Sequence, residues 1–529
     1  MTDDPIKIPE VPEVEQTPLV QTLLGIIGQM GGKIEKLEQE ILKLKGETVK
    51  PQIKPSKMDD QAGTGDEDGE KKRPDKPGPK RRKTEQMEID HTQQIELDEV
   101  PAGSTFKGYQ DYVVQDLVIE RRNTRYRLAQ WLTPDGKYIT AKAPASLGGG
   151  HFGPALVSYI LYQYHHQHVT QPLLWEHLID LGVDISSGQL NRLVTEGKDR
   201  FHQEKDEILS AGIEVSRYLH TDDTTARHGG KNGYCTHIGN ELFAWFSSTE
   251  SKSRVNFLGL LRADHKDYVV NVGALEYMTG QGLAQKPLAL LEAHEGAFAT
   301  KEAWLKHLEE LGIKGKRHIA IATEGALMGS LLAHGFPVDM SIVSDDAGQF
   351  NVFDHALCWI HAERGINRLI PLSDAHHKAV DWARGQIWDL YADLKAYKTA
   401  PSEELKVELS ARFDEICAAR TCFETLNQAL KRIGRNKDEL LLVLEKPWLP
   451  LHNNLSERDI RDYAKKRKIS GSTRSEEGRR CRDTFASLKK TCRKHKISFW
   501  HYLKDRVARL GEIPPLPEVI RQAAQAAAA

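Results

Sequence analysis

Val215-Ser216-Arg217-Tyr218-Leu219-His220-Thr221-Asp222-Asp223-Thr224 is a short β-prone run that ends in paired acids. The same design recurs at Val338-Asp339-Met340-Ser341-Ile342-Val343-Ser344-Asp345-Asp346. A third acid has another setting. In Leu451-His452-Asn453-Asn454-Leu455-Ser456-Glu457-Arg458, Asn453 or Asn454 is a good N-cap, which puts Glu457 in the first turns of a helix. Between the first two acids, Gly233–Gly239 and Leu242–Ser247 read as a hairpin around Asn240-Glu241, and Val255–Leu261 as a third strand. Glu324 to His334 reads as a helix closed by Gly335.

Acids at strand ends have an ordinary reading, because strands stop where polar turns begin. The order carries more: strand and acid, antiparallel strands, helix, strand and acid, then a helix bearing Glu. A mixed sheet flanked by helices can bring two strand-borne aspartates and one helix-borne glutamate to a single point. Three carboxylates with no Cys/His set beside them are hard oxygen ligands, suited to Mg²⁺ or Mn²⁺ and not to zinc. Two such ions about 3.5–4 Å apart would clamp the attacking and leaving oxygens of an in-line phosphoryl transfer.

Behind the third acid the charge becomes lopsided. From Arg458 to Arg509 there are 18 Lys or Arg against 6 Asp or Glu, a net of +12, while the whole chain carries −2. Arg458, Arg461, Lys465, Lys466, Arg467, Lys468, Arg474, Arg479 and Arg480 follow Glu457 directly and are the candidate DNA-phosphate contacts. A solvated helix face would mix the signs more evenly.

Outward from these segments the chain is less explicit. Its 529 residues, 39% hydrophobic and 28% charged, fit a globular protein of several domains. Neither a secretory signal nor an apolar stretch long enough to cross a bilayer is visible, so the six cysteines are expected as reduced thiols in a cytoplasm. The first aromatic residue is Phe106. Within residues 1–46, Leu23, Ile27, Met30, Ile34, Leu37, Ile41 and Leu44 follow the heptad pattern of a coiled coil, which predicts a homodimer or higher oligomer. Residues 47–107 read as a disordered linker with a basic run from Lys71 to Lys83. Within 108–150, Tyr112–Ile119 and Tyr126–Leu132 read as strands and Thr133-Pro134-Asp135-Gly136 as a turn. Residues 151–212 are helical, and a glycine-containing turn before Ser186-Ser187 gives them a helix-turn-helix pattern of the kind that binds DNA. His165, His166 and His168 are expected on a polar helix face, since no Cys or carboxylate stands at ligand spacing. Cys358 and His361, with Cys417 and Cys422, allow a zinc reading, but core packing is preferred for a residue as commonly buried as Cys.

The acidic segments resemble the bacterial insertion-sequence transposases of the sixty-six family. The family's Asp-Glu-Thr is met by Asp222-Asp223-Thr224, and its Thr-Asp-Gly-Tyr followed by Cys-Trp-Ala-His-Ala-Arg-Arg by Ser344-Asp345-Asp346 and Cys358-Trp359-Ile360-His361-Ala362-Glu363-Arg364. Its Asn-Asn-x-x-Glu-Arg-x-x-Arg is met by Asn453-Asn454-Leu455-Ser456-Glu457-Arg458 with Arg461, the most specific of the three. Gly471-Ser472, Glu477-Gly478 and Tyr502-Leu503-Lys504-Asp505 extend the likeness, which covers about residues 150 to 510.

The resemblance implies an α/β RNase H-like core and a DDE transposase. Asp222, Asp345 and Glu457 would be its catalytic, metal-holding acids, with Asp223 and Asp346 left open as alternatives. It implies double-stranded DNA, both transposon ends and target, as partner, with accessory transposition proteins and a bacterial, nucleoid-associated location. The core would be split into 213–263, 318–371 and 450–512 by an insertion at 264–317 and a helical one at 372–449, with a tail at 513–529. Two departures stand out: no cysteine precedes Cys235 where the family has a zinc ribbon, and the first two acids are 123 residues apart, longer than expected. The rival readings are a nuclease of the same fold that does not join strands, and a non-catalytic DNA-binding regulator.

Overall fold

The computed structural model describes Thr17, Val20, residues 88–144 and residues 150–528. The heptad residues Leu23–Leu44 and the basic run Lys71–Lys83 lie outside them. The chain divides into two units: residues 50–125 with 181–183 form one, and 126–180 with 184–529 belong to the other. In the first, residues 88–125 carry no helix or strand, so the strand expected at Tyr112–Ile119 does not form. Tyr112, Leu117 and Val118 are exposed, and an apolar alternation with no surface to cover gains nothing from extension.

In the larger unit, β1 (Gln130–Leu132) pairs antiparallel with β2 (Tyr138–Thr140). The expected strand at Tyr126–Leu132 therefore shortens to its last three residues and takes the nearest partner across the expected turn. Gly136 makes that turn possible at φ +77°, its N–H closing on Thr133 O at 2.9 Å.

Helix α1 (Pro154–Leu161) runs into a π turn, Tyr162–His166. Here the polar face expected for the histidines is corrected: His165 is buried and stacks on Phe485 at 4.0 Å, and His166 stacks on Tyr162 at 4.6 Å. The imidazoles serve as flat packing surfaces. Helices α2 (Gln171–Asp180) and α3 (Ser187–Thr195) follow, α3 opened by a capping box of Ser186 and Gln189. Helix α4 (Asp199–Val215) buries Phe201, Ile208, Leu209 and Ile213. Its Gly212 allows the Phe243 ring to lie against the backbone, since a Cβ there would fall 2.5 Å from ring carbons.

The main sheet follows: β3 (Tyr218–Thr225), β4 (Tyr234–Gly239), β5 (Ala244–Thr249), β8 (Ser341–Ser344) and β9 (Asp354–Leu357), ordered β5-β4-β3-β8-β9. Strand β4 runs antiparallel to both of its neighbours, β3 and β5, whereas β8 runs parallel to β3 and β9 parallel to β8. The hairpin expected around Asn240-Glu241 is β4–β5.

Val255–Leu261, expected as a strand, is instead helix α5 (Arg254–Leu261). Short apolar runs do not fix a period, and Ser253 decides this one by capping the helix, accepting the Asn256 N–H at 3.2 Å. Between α5 and β8 lie β6 (Tyr268–Val270), α6 (Val272–Gly280), α7 (Gln285–Glu292), β7 (Gly296–Phe298), α8 (Lys301–Glu310) and α9 (Lys316–Ala333). Met278, Trp304 and Leu308 from this segment share one apolar core with Leu219 of β3 and Ile342 of β8.

After β9 come α10 (Trp359–Asn367), α11 (Asp374–Tyr397), α12 (Glu403–Ala418), α13 (Glu424–Arg435) and the single turn α14 (Lys437–Leu440), which close a second core around Leu390, Phe413 and Leu430. The chain returns to the sheet with α15 (Asn454–Ser470), α16 (Glu476–Lys494), α17 (Phe499–Ala508) and α18 (Leu516–Ala528). Residues 513–529, read as a tail, thus contain a helix that buries Leu516 and Ile520 in the main core. Helix α16 covers the sheet edge. The N–H groups of Ala244, Phe246 and Ser248 donate to Thr491 Oγ1, Ser487 Oγ and Asp483 Oδ2, at 3.2, 2.9 and 2.7 Å. Acceptors four residues apart on a helix thereby satisfy alternate donors of an edge strand.

Candidate active site

Asp222 lies in the outer half of β3, and Asp345 is the first residue past β8. These strands pair in parallel as Tyr218↔Ser341, Leu219↔Ile342 and His220↔Val343. Continued by two residues, the same register sets Asp345 beside Asp222. The separation of 123 residues is thus the register offset of two neighbouring strands, which lie about 4.8 Å apart in a sheet.

Helix α15 brings the third acid over them. Asn453 is its N-cap by backbone position, but its side chain does not cap: its Oδ1 lies 2.8 Å from His220 Nδ1, and its Nδ2 donates to Thr221 O at 2.7 Å. One turn on, Ser456 Oγ lies 2.6 Å from His237 Nδ1. His237 is the register partner of Asp222 on β4. Asn453, Ser456, Ile460 and Tyr463 form the helix stripe turned to the sheet, and Glu457 stands next to Ser456 in the first turn.

Burial, and after it the charges of Asp345, Glu457 and Asp223, pushes the Asp222 carboxyl up to about 7, against the lowering bond from the Asp223 N–H. Asp345 Oδ1 and Glu457 Oε1 are buried oxygens with no hydrogen-bond partner. Glu457 Oε1 has His361 Nε2 at 3.4 Å, and burial lowers the pKa of that imidazole against the raising charge of Glu457. The neighbours are placed differently. Asp223 accepts hydrogen bonds from Thr236 Oγ1 and Gln349 Nε2, and Asp346 is exposed.

His361 was legible only as part of a motif and was read as packing; the structure sets it against Glu457. The supporting His220 and His237 were missed altogether, although His220 stands two residues before Asp222, on the same strand face. Cys358 is buried and accepts the Asn453 N–H at 3.2 Å, as the packing reading expects.

The basic residues separate into two groups. Arg458, Arg461, Lys465 and Lys468 form one exposed stripe of α15, opposite its sheet-facing side, and Arg474 and Arg480 are exposed beyond it. Lys466, in contrast, is buried, donating to Tyr164 O at 2.7 Å over the Tyr164 ring, and burial brings its pKa down to about 7. Arg467 donates to Thr224 Oγ1 at 2.9 Å, and Arg479 pairs with Glu476 at 2.6 Å. Lys489 and Lys490 pair with Asp462 at 3.3 and 3.2 Å, and Lys494 with Asp459 at 2.8 Å. Part of the +12 is therefore internal, and Lys466 in particular has no free ammonium to offer a phosphate.

The model of the family described as "Transposase IS66 family" matches residues 149–257 and 328–480, a span that includes all three acids. An uncharacterized protein, y4jO of Sinorhizobium fredii, is 42% identical over 317 residues, covering 59% of this chain and 99% of that protein. The chain belongs to the IS66 transposase family. Membership in the IS66 family makes it a DNA-acting protein of transposition and implies, in general terms, an enzyme that uses a divalent metal. The IS66 match omits 258–327, the stretch that holds β6 to α8. No helix among the described residues is long and apolar enough to cross a membrane.

Proposed function

We propose that Asp222, Asp345 and Glu457 hold two divalent cations, Mg²⁺ or Mn²⁺, and that the chain uses them to cut transposon ends and join the freed 3′-hydroxyls to target DNA. The observation that carries this reading is the pair of partnerless buried oxygens on Asp345 and Glu457, beside an Asp222 whose carboxyl is raised by burial and then by both of these charges. A donor set of carboxylate oxygens fits a hard cation. Bound there, such ions would acidify the attacking water or hydroxyl and neutralise charge on the phosphate. The sheet order β5-β4-β3-β8-β9, in which β4 alone runs against the other four strands, supports an RNase H-like core.

The protein's own groups position this chemistry. Asn453, Ser456 and His237 fix the helix that carries Glu457, while His361 flanks its carboxylate. The exposed stripe Arg458, Arg461, Lys465 and Lys468 holds the phosphodiester backbone beside the acids. Residues 151–212 recognise the ends, and the N-terminal heptads join copies of the chain. The test uses purified, folded Asp222→Asn, Asp345→Asn and Glu457→Gln with end DNA and with pre-cut ends. All three should bind DNA yet neither cleave nor join. Cleavage retained by these variants overturns the assignment, and a wild type that cuts but never joins pre-cut ends marks a plain nuclease.

A further inference from the structure

We propose that His265, Asp267 and His334 form a second metal site, for a borderline transition-metal ion such as Zn²⁺, which staples together the two ends of the segment that the family match omits. His265 and Asp267 stand in the loop between α5 and β6, and His334 is the C-cap residue of α9. One ligand atom from each lies within 4.8 Å of the other two, and among the described residues no other three His, Cys, Asp or Glu are grouped so closely.

Three observations favour a cation at this point. His334 Nε2 lies 2.9 Å from Asp267 Oδ2, while Ser330 Oγ donates to Asp267 Oδ1 at 2.9 Å and orients the carboxylate. The His265 and His334 rings stack with centroids 3.5 Å apart and 7° between planes, which sets two imidazoles side by side at the Asp267 carboxylate. A shared divalent ion would take one donor bond from each imidazole. Tetrahedral zinc, about 2.0–2.1 Å from each nitrogen, needs nitrogens about 3.4 Å apart in rings whose planes converge on the ion. Both histidines are exposed, so their rings can pivot to aim at one ion. The site also faces the C-terminal end of an 18-residue helix, where the aligned peptide dipoles favour positive charge.

The ligand types separate this site from the proposed catalytic one. Two imidazoles and a carboxylate select Zn²⁺ or a similar ion, whereas three carboxylates select Mg²⁺ or Mn²⁺. His265 and Asp267 fall inside the omitted stretch and His334 just beyond it. The staple would therefore belong to this chain's added segment, and it does not depend on the transposase reading of the acids.

The test is calorimetric titration of the chelator-stripped full chain with Zn²⁺ in excess Mg²⁺, paired with thermal melting. The wild type should take up one Zn²⁺ at micromolar or tighter affinity, with a rise in Tm. The exposed double variant His265→Ala/His334→Ala should melt like the metal-free wild type and bind Zn²⁺ at least tenfold more weakly. Asp222→Asn should keep the wild-type affinity. Unchanged stoichiometry and affinity in the double variant, or no uptake by the wild type, overturns the proposal.

Discussion

Ser456 Oγ lies 2.6 Å from His237 Nδ1 across 219 residues of sequence, and His237 faces Asp222 in the β3–β4 register. This contact ties the first turn of α15 to the strand pair that carries the first acid. Ser456→Ala removes only the hydroxyl, so the helix should still form and the variant should melt within a few degrees of wild type. Groups that orient a metal-holding side chain typically matter about 10–100-fold. Mg²⁺ affinity, followed by calorimetry, should fall by that factor, and strand cleavage should recover partly at high Mg²⁺. Cleavage unchanged at limiting Mg²⁺ would show that Glu457 is placed by other contacts.

Asp222 makes stability depend on pH. Its folded pKa, about 7, is raised above an unfolded value near 3.9. The folded state therefore binds the extra proton: this contribution is fully present below pH about 4 and is lost as pH rises through about 7. Asp222→Asn should be flat across that window and more stable than wild type at pH 8 by on the order of 2 kcal/mol, after allowing for partial solvation. Urea melts at pH 5 and pH 8 check this. Adding Mg²⁺ at pH 8 should stabilise the wild type and leave Asp222→Asn unmoved.

The acids were legible because β-prone runs ending in charge, and a glutamate after an asparagine, are local signals. What brings them together was not. The 123-residue separation looked anomalous in the sequence and became a register offset only once β3 lay beside β8. Asn453 read as a cap because capping is its commonest use, yet His220 and Thr221 O compete for the same side chain and win. Val255–Leu261 went wrong for want of a period, and Tyr112–Ile119 for want of a surface to cover. The histidines at 165 and 166 were read by polarity when stacking decided their place.

The basic residues give a prediction that composition alone would miss. Each phosphate contact removed should reduce the salt dependence of DNA binding by about 0.9 in the log–log slope. Alanine at Arg458, Arg461, Lys465 and Lys468 together should flatten that slope by up to about 4. Lys466→Met, at a buried position already paired with Tyr164, should leave it unchanged. Fluorescence anisotropy on end DNA over a salt series measures both. An equal effect from Lys466→Met would mean that its ammonium reaches DNA after all.

The cover on the sheet edge is the last point where one atom decides an outcome. Phe246 N–H has Ser487 Oγ as its partner at 2.9 Å, in a part of the chain where both residues are fully buried. Ser487→Val adds the same volume as Ser487→Thr but removes the acceptor, leaving a backbone donor buried and unmet, at a cost of about 1–3 kcal/mol. Ser487→Thr keeps the hydroxyl and should lose less, because its added methyl group perturbs only packing. The urea midpoint should therefore rank wild type, Thr, then Val. Because β5 is two strands away from β3, the Val variant should lose stability before it loses Mg²⁺ affinity. If Val and Thr destabilise equally, packing volume holds α16 on the edge, and the side-chain ladder to Ala244, Phe246 and Ser248 is incidental.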